Sequence, residues 1–189
     1  MRQSILESLE TSISVKQNFI KNNLDLIEKG ARCLAKTFKK GNKVLIFGNG
    51  GSAADAQHLA AEFINRFQME RPPLAALALT VDSSVLTSIS NDYSFDDIFQ
   101  KQIQGLGRKG DLALGISTSG NSLNVIQGLR SAKSMGLITM GFSGSSGKVK
   151  DMVDYAYCVD SGTTARIQES HIFLAHILCD LTERTLFNE

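Results

Sequence analysis

The sequence predicts an α/β protein: a three-layer, doubly wound fold in which helices flank a five-stranded parallel sheet, with a helical arm at the N-terminus. Three observations predict it. Five short apolar runs, at 43–48, 75–80, 111–117, 137–143 and 155–159, have the length and composition of buried strands. Most are separated by stretches of helical period, and parallel neighbours need such crossovers. The first forty residues keep a helical apolar spacing with no proline among them. A chain of 189 residues then reads as one domain, 1–189, divided into an arm (1–40) and an α/β core (41–189).

In the arm, Ile5, Leu9 and Ile13 recur every four positions, and Ile20, Leu24, Ile27, Ala31 and Leu34 continue the stripe. Lys16 interrupts it while Leu6 and Phe19 widen it, so two helical pieces are expected. "KKGNK" closes the arm with basic residues followed by glycine, a helix-stop pattern. An apolar stripe of this length must be buried against the body or against a second subunit.

The core opens with the strand "KVLIFG" and the helix "SAADAQHLAAEFINRF", which stops before "RPP". "AALALT" is the next strand, followed by helical material over 83–90 and 96–106. "DLALGIS" leads into the helix "SLNVIQGLRSAKSM", and "LITMGFS" into the short helix "KVKDMV". "YAYCV" is the last strand and 164–186 the closing helix.

Composition excludes several classes. Hydrophobic residues are 42% and charged residues 21%, as in ordinary globular proteins, and the formal charge is +1. Lys and Arg are scattered, so neither a nucleic-acid stripe nor a polybasic membrane patch is expected. No apolar run reaches the ~18 residues of a membrane helix, and the first thirty residues lack a signal-peptide profile. Cys33, Cys158 and Cys179 form an odd set with no C-x-x-C, which fits a reduced, cytoplasmic protein with small buried hydrophobes.

Two strand ends carry unusual loops. In "GISTSGNSLN", Ser117, Thr118, Ser119 and Ser122 surround Gly120. Hydroxyls, a backbone able to approach closely and a following helix N-terminus suit a phosphate monoester. There is no G-K-[ST], which argues against a nucleotide P-loop; a turn with an N-cap serine would explain only part of the set. "GNGGSA" satisfies a form of the dinucleotide fingerprint, but its acidic partner would be Asp82, about thirty residues past Gly50 rather than the usual ~20.

His58 and Glu62 share one helix face four residues apart. Alone, such a pair reads as solvated surface. The closing helix adds Gln168, His171 and His176 among Ile167, Ile172, Leu174, Ala175, Ile177 and Leu178. An imidazole in apolar surroundings needs a partner. A metal or substrate held by His58, Glu62 and His176 would supply one, and nitrogen and oxygen donors suit Zn²⁺. Gln168 and His176 are eight residues apart, ~12 Å along a helix, so both reach one ion only obliquely or from different subunits.

The blocks "GNGGSAADAQHLAAEF", "NDYSFDDIF", "GISTSGNS" and "ARIQESHIFLAH", in this order and spacing, resemble the sugar isomerase (SIS) domain family, and within it the phosphoheptose isomerases, over nearly the whole chain. The resemblance implies a cytoplasmic aldose–ketose isomerase that converts sedoheptulose 7-phosphate to D-glycero-D-manno-heptose 7-phosphate. That is the first step toward the ADP-heptose of lipopolysaccharide core. It also implies a homotetramer with the N-terminal helices packed at its centre and sites near subunit boundaries. One Zn²⁺ per subunit would sit on His58, Glu62, Gln168 and His176. Asn49, Gly50 and Gly51 would line the sugar. Asn91 and Asp92, a loop turn by local sequence, would contact its hydroxyls. Ser117, Thr118, Ser119 and Ser122 would hold its phosphate, and Glu62 and Gln168 would also touch substrate. Glu62 and His176 would form the acid–base pair.

Another branch of the same family binds the bacterial replication initiator as a non-catalytic tetramer. "INRF", "ERPPLAALAL" and "CDLTERTLF" resemble that branch as well. The branch lacks the glutamate after "QHLAA" and the last histidine, and this chain has both, as Glu62 and His176. The expected partner is therefore a phosphorylated seven-carbon sugar, with no nucleic acid and no membrane.

Overall fold

A computed structural model describes residues 1–187; the last two positions of the domain read from the sequence lie outside them. The arm is two helices, α1 (Arg2–Lys21) and α2 (Leu24–Lys39). The core follows as β1 (Val44–Gly48), α3 (Gly51–Ile64), β2 (Ala76–Ala78), α4 (Ser83–Asp92), α5 (Ile98–Leu106), β3 (Leu112–Ser117), α6 (Leu123–Ser134), β4 (Ile138–Gly144), β5 (Tyr155–Val159) and α7 (Thr164–Phe187). Single 3₁₀ turns at Phe95–Asp97 and Val149–Asp151 complete the path.

All strand pairs are parallel, in the order β2-β1-β3-β4-β5. The pleat sorts the strand residues into two cores. Val44, Ile46, Leu112, Leu114 and Ile116 meet the layer of α2, α3 and α7, whereas Leu45, Phe47 and Ala113 meet α5 and α6. Burial on both faces explains why the strands read as continuous apolar runs. Gly115 lets α6 lie close, since a Cβ there would come 2.9 Å from Val125.

Several boundaries differ from those read in the sequence. Helix α3 ends at Ile64 rather than near Phe67. The buried Arg71 guanidinium donates to the carbonyls of Glu62, Phe63 and Asn65, and so replaces the next turn as partner of the helix end. Asn91 and Asp92 are the last residues of α4 rather than a loop turn. "KVKDMV" forms only a single 3₁₀ turn. Strand β2, an edge strand paired with β1 alone, keeps three residues.

The apolar stripe of the arm divides. Ile27, Ala31 and Leu34 of α2 are buried within the main core. Ile5, Leu9 and Ile13 of α1, and Leu24, remain exposed, at 67%, 55%, 44% and 56%. Helix α1 is attached to α7 by polar contacts and one aromatic: Ser12 Oγ donates to Glu169 Oε2 (2.6 Å), Arg166 Nη1 donates to the Ser8 carbonyl (2.7 Å), and Phe19 is buried. Among the described residues no helix is long and apolar enough to cross a membrane.

Candidate active site

The chain order reverses between β1 and β3, with β2 on one side and β4 and β5 on the other. In open parallel sheets that switch point opens a crevice at the carboxyl ends of the strands, where ligands bind. The two glycine- and hydroxyl-rich loops leave from there, one after β1 and one after β3.

After β3, the hydroxyls converge. Ser117 Oγ donates to Ser122 Oγ (3.0 Å) and lies 3.4 Å from Ser119 Oγ. Ser122 is the N-cap of α6, yet its hydroxyl makes no capping bond. The loop rests on the segment after β4: the Gly144 amide donates to the Thr118 carbonyl (3.0 Å) and the Lys148 amide to the Gly120 carbonyl (2.9 Å). Gly120 has φ +65°, and a Cβ there would come 2.7 Å from the Ser146 carbonyl, so glycine is required on both counts. A helix N-terminus beside clustered hydroxyls can bind an anionic group.

After β1, Gly50 takes φ +54° and opens α3. The Asn49 side chain exchanges two hydrogen bonds, each 2.9 Å, with that of Asn124, which is 2% exposed at the start of α6. This reciprocal pair ties the two loops together. Gln168 approaches from α7: a Cβ on Gly51 would fall 2.6 Å from its Nε2. Gly51 therefore admits the amide to the loop.

His58, Glu62 and His176 come together. His58 and His176 place their Nε2 atoms 2.9 Å apart, and His58 Nε2 lies 3.3 Å from Glu62 Oε1. The three donor atoms all lie within 4.8 Å of one another. Donors around one tetrahedral ion at ordinary ligand distances stand about 3.3 Å apart, so this set can hold a metal. Burial pushes the His176 imidazole below its usual pKa, and neighbouring His58 pushes it the same way, against the opposing pull of Glu62. A neutral imidazole is the form that ligates a metal.

The remaining residues sort plainly. Asn91 and Asp92 are exposed, and the Asn91 amide donates to Asp92 Oδ1 (2.9 Å) rather than to the cluster. Gln168 lies two helical turns before His176, beside Gly51. His171 is 1% exposed and 3.2 Å from the Ser143 carbonyl, so it belongs to the core. Asp82, the acidic residue weighed for a dinucleotide site, accepts from the Val85 amide (3.0 Å) as N-cap of α4. Cys33, Cys158 and Cys179 are free thiols.

Sequence reasoning missed Asn124, Phe67, Arg71 and Glu183. Asn124 follows the serine loop directly, and its asparagine side chain in a buried first turn was the available signal. Phe67 packs its ring 5.4 Å from that of His176. Arg71 and Glu183 form a buried ion pair (2.9 Å) between residues 112 positions apart, a relationship with no local signature.

A parallel sheet with a serine-rich loop at its switch point, and a histidine–glutamate–histidine cluster between the helices that cover one face, is the arrangement of a sugar-phosphate-handling α/β domain. The chain belongs to the SIS domain family, whose model matches residues 9–144. Within that family its likeness is to phosphoheptose isomerases. The one from Nitratidesulfovibrio vulgaris Hildenborough is 52% identical, covering 98% of this chain and 90% of the relative. The one from Aquifex aeolicus is 49% identical, covering 97% and 96%. Among solved structures, phosphoheptose isomerase from Neisseria gonorrhoeae superposes with a TM-score of 0.91 at 41% identity, covering 96% of this chain and 98% of that one.

Proposed function

We propose that this chain is an aldose–ketose isomerase that interconverts sedoheptulose 7-phosphate and D-glycero-D-manno-heptose 7-phosphate. The observation that carries the reading is the convergence of His58, Glu62 and His176 from α3 and α7, in a chain whose strand-end loops suit a sugar phosphate. Identity near one half to phosphoheptose isomerases, over nearly the full length, supports it from outside the structure. The initiator-binding reading is not favoured, because these relatives are named as isomerases and both Glu62 and His176 are in place.

Ser117, Thr118, Ser119 and Ser122, with the N-terminus of α6, hold the phosphate. Asn49, Gly50, Gly51 and Gln168 line the sugar near C1 and C2, and Asn91 and Asp92 meet its hydroxyls from α4. Carbonyl transfer from C2 to C1 removes a proton from C1 as the C2 carbonyl oxygen is protonated to give an enediol. A proton then returns to C2 as the C1 hydroxyl gives its own up, so that in net terms one proton passes from C1 to C2 and one from the C1 oxygen to the C2 oxygen. Glu62 carries the proton between carbons. Its Oε1 engages His58, which leaves Oε2 for that work. His176 serves the oxygen atoms; its Nε2 takes either a metal or a proton, one at a time.

His58, Glu62 and His176, joined by Gln168, would hold one Zn²⁺ per subunit, and bound metal would polarise the carbonyl and steady the enediolate's charge. The setting is a cytoplasmic homotetramer built on the exposed face of α1, placed at the first step of the ADP-heptose route to lipopolysaccharide core. The test is turnover of sedoheptulose 7-phosphate, with metal analysis of protein purified without chelator. Absence of turnover with the heptulose phosphate in metal-replete protein would overturn the assignment.

A further inference from the structure

Seven residues after His176, on the same helix face, α7 carries a carboxylate that is 0% exposed, Glu183. It faces no ligand loop. Its Oε1 accepts from the Phe67 amide (2.8 Å) and from Arg71 Nε (2.9 Å). Its Oε2 accepts from the Gln68 and Met69 amides, each 3.0 Å. Burial alone would raise this carboxyl's pKa. The three backbone amides and the Arg71 guanidinium outweigh that effect, and its pKa falls below the ordinary value. The charge is thus fully engaged.

The other half of the pair reaches back to the cluster. Arg71 Nη2 donates to the Glu62 carbonyl (2.8 Å) and Nη1 to the Phe63 carbonyl (2.7 Å), while the guanidinium itself is 1% exposed. One rigid fork therefore grips the backbone of Glu62, and its partner carboxylate stands on the helix that carries His176. Between them runs the segment that supplies Phe67, whose ring lies against the His176 imidazole. Helix ends are otherwise free to fray, and the distance from α3 to α7 is what fixes the 2.9 Å approach of His58 to His176, while the 3.3 Å approach of His58 to Glu62 lies within α3 itself.

We infer that Arg71 and Glu183 are positioning residues: this buried pair sets the spacing of Glu62 and His176, and with it the metal affinity and turnover of the site. Neither residue touches the cluster side chains. The inference rests on the metal and acid–base reading proposed above.

A buried pair also stabilises the fold, so the test separates position from stability. Arg71→Lys keeps the charge opposite Glu183 but loses the fork to Glu62 and Phe63. Glu183→Gln keeps the volume but loses charge. Asp111→Asn is the control: Asp111 is 2% exposed, pairs with Lys43 and accepts from the Lys43 and Arg108 amides at the far end of the strands. Each full-length variant is titrated with Co²⁺ and followed by its visible absorption, at a temperature where circular dichroism shows it folded. Arg71→Lys is expected to weaken cobalt binding and lower kcat by about 10- to 100-fold with KM unchanged. Asp111→Asn is expected to lower Tm while leaving cobalt affinity and kcat as in wild type. Should Glu183→Gln not fold, Arg71→Lys decides the matter alone. Wild-type cobalt affinity, spectrum and kcat in Arg71→Lys overturn the inference. If wild-type protein itself binds no cobalt, the metal reading fails, and position is read from kcat alone: a loss at constant KM supports the inference, and no loss overturns it.

Discussion

His58 and His176 are separated by 118 positions in the chain, and their Nε2 atoms meet at 2.9 Å. At that distance one ring carries its proton on Nε2 and donates to the other, or both turn lone pairs to a shared cation. Each imidazole comes from a different helix on the same face of the sheet, α3 being the first crossover and α7 the closing helix after the last strand. The fold, rather than local sequence, makes the site.

Glu62 is the cluster's only carboxylate. Glu62→Gln preserves shape and removes both the base and the negative donor. Turnover is expected to fall by about 10²- to 10⁴-fold, the usual contribution of a positioned general base. Thermal stability is expected to stay close to wild type, because the lost ion pair with a half-exposed His58 contributes little. Steady-state kinetics beside a thermal melt checks both halves, and wild-type kcat would remove Glu62 from the mechanism.

Gly51 offers a test that uncouples stability from the site. Its φ is not positive, and as the first residue of a helix it holds a backbone conformation that alanine adopts without strain. The added methyl would nonetheless come 2.6 Å from Gln168 Nε2 and force that amide away. Gly51→Ala should therefore melt at or above the wild-type temperature while losing about tenfold or more in kcat/KM, as misplaced polar contacts do. Gln168→Ala made in the Gly51→Ala background should then add little. A full further loss would show that Gln168 acts elsewhere.

Much of this architecture was legible because parallel strands are buried on both faces and read as apolar runs. "KVLIFG" and "DLALGIS" announce β1 and β3, and the loops after them mark the crevice. The approach of His58 to His176 was legible only as a need: an imidazole among apolar residues had to find a partner. What stayed hidden depends on long-range geometry. Arg71 ends α3 early by taking its carbonyls, and nothing near "INRFQMERPP" discloses that its counter-ion is Glu183. The stripe from Ile5 to Leu34 reads as one apolar face apart from Lys16, yet it meets the core only from Phe19 and Ile20 onward, through Ile27, Ala31 and Leu34, while Ile5, Leu9, Ile13 and Leu24 stay exposed.

His171 gives a pH prediction independent of catalysis. Burial drives its pKa from 6.5 down to about 4, the hydrogen bond to the Ser143 carbonyl opposing only in part, and its Nδ1 has no partner among the described residues. The folded-state value lies below the unfolded one, so the unfolded chain takes up a proton first. Stability from this residue is complete above pH 6.5, falls as pH drops toward about 4, and levels off below. The difference amounts to about 3 kcal/mol across that window. His171→Gln keeps a donor for Ser143 without the titration. Urea midpoints for the two proteins should therefore converge or cross as pH is lowered from 7 to 4.5. Parallel curves would mean that the folded protein accepts the proton freely.

The exposed half of the arm stripe makes the last prediction. Ile5 and Leu9 are exposed along a cleft between α1 and Arg166 and Glu169 of α7, and Ile13 and Ile20 line a groove of about 380 Å³ shared with Phe173 of α7, itself 44% exposed. Several large apolar side chains exposed along one arm of the molecule mark an association face. Because Leu9 contributes little to the core of its own chain, Leu9→Glu should leave secondary structure and the α/β core unchanged. Carboxylates brought together at an apolar interface repel and are costly to desolvate, so the assembly should dissociate. Sedimentation velocity is expected to show a tetramer for wild type and smaller species for the variant. Isomerase activity should fall with dissociation if neighbouring subunits complete each site. A variant that stays tetrameric would place the association face elsewhere on the molecule.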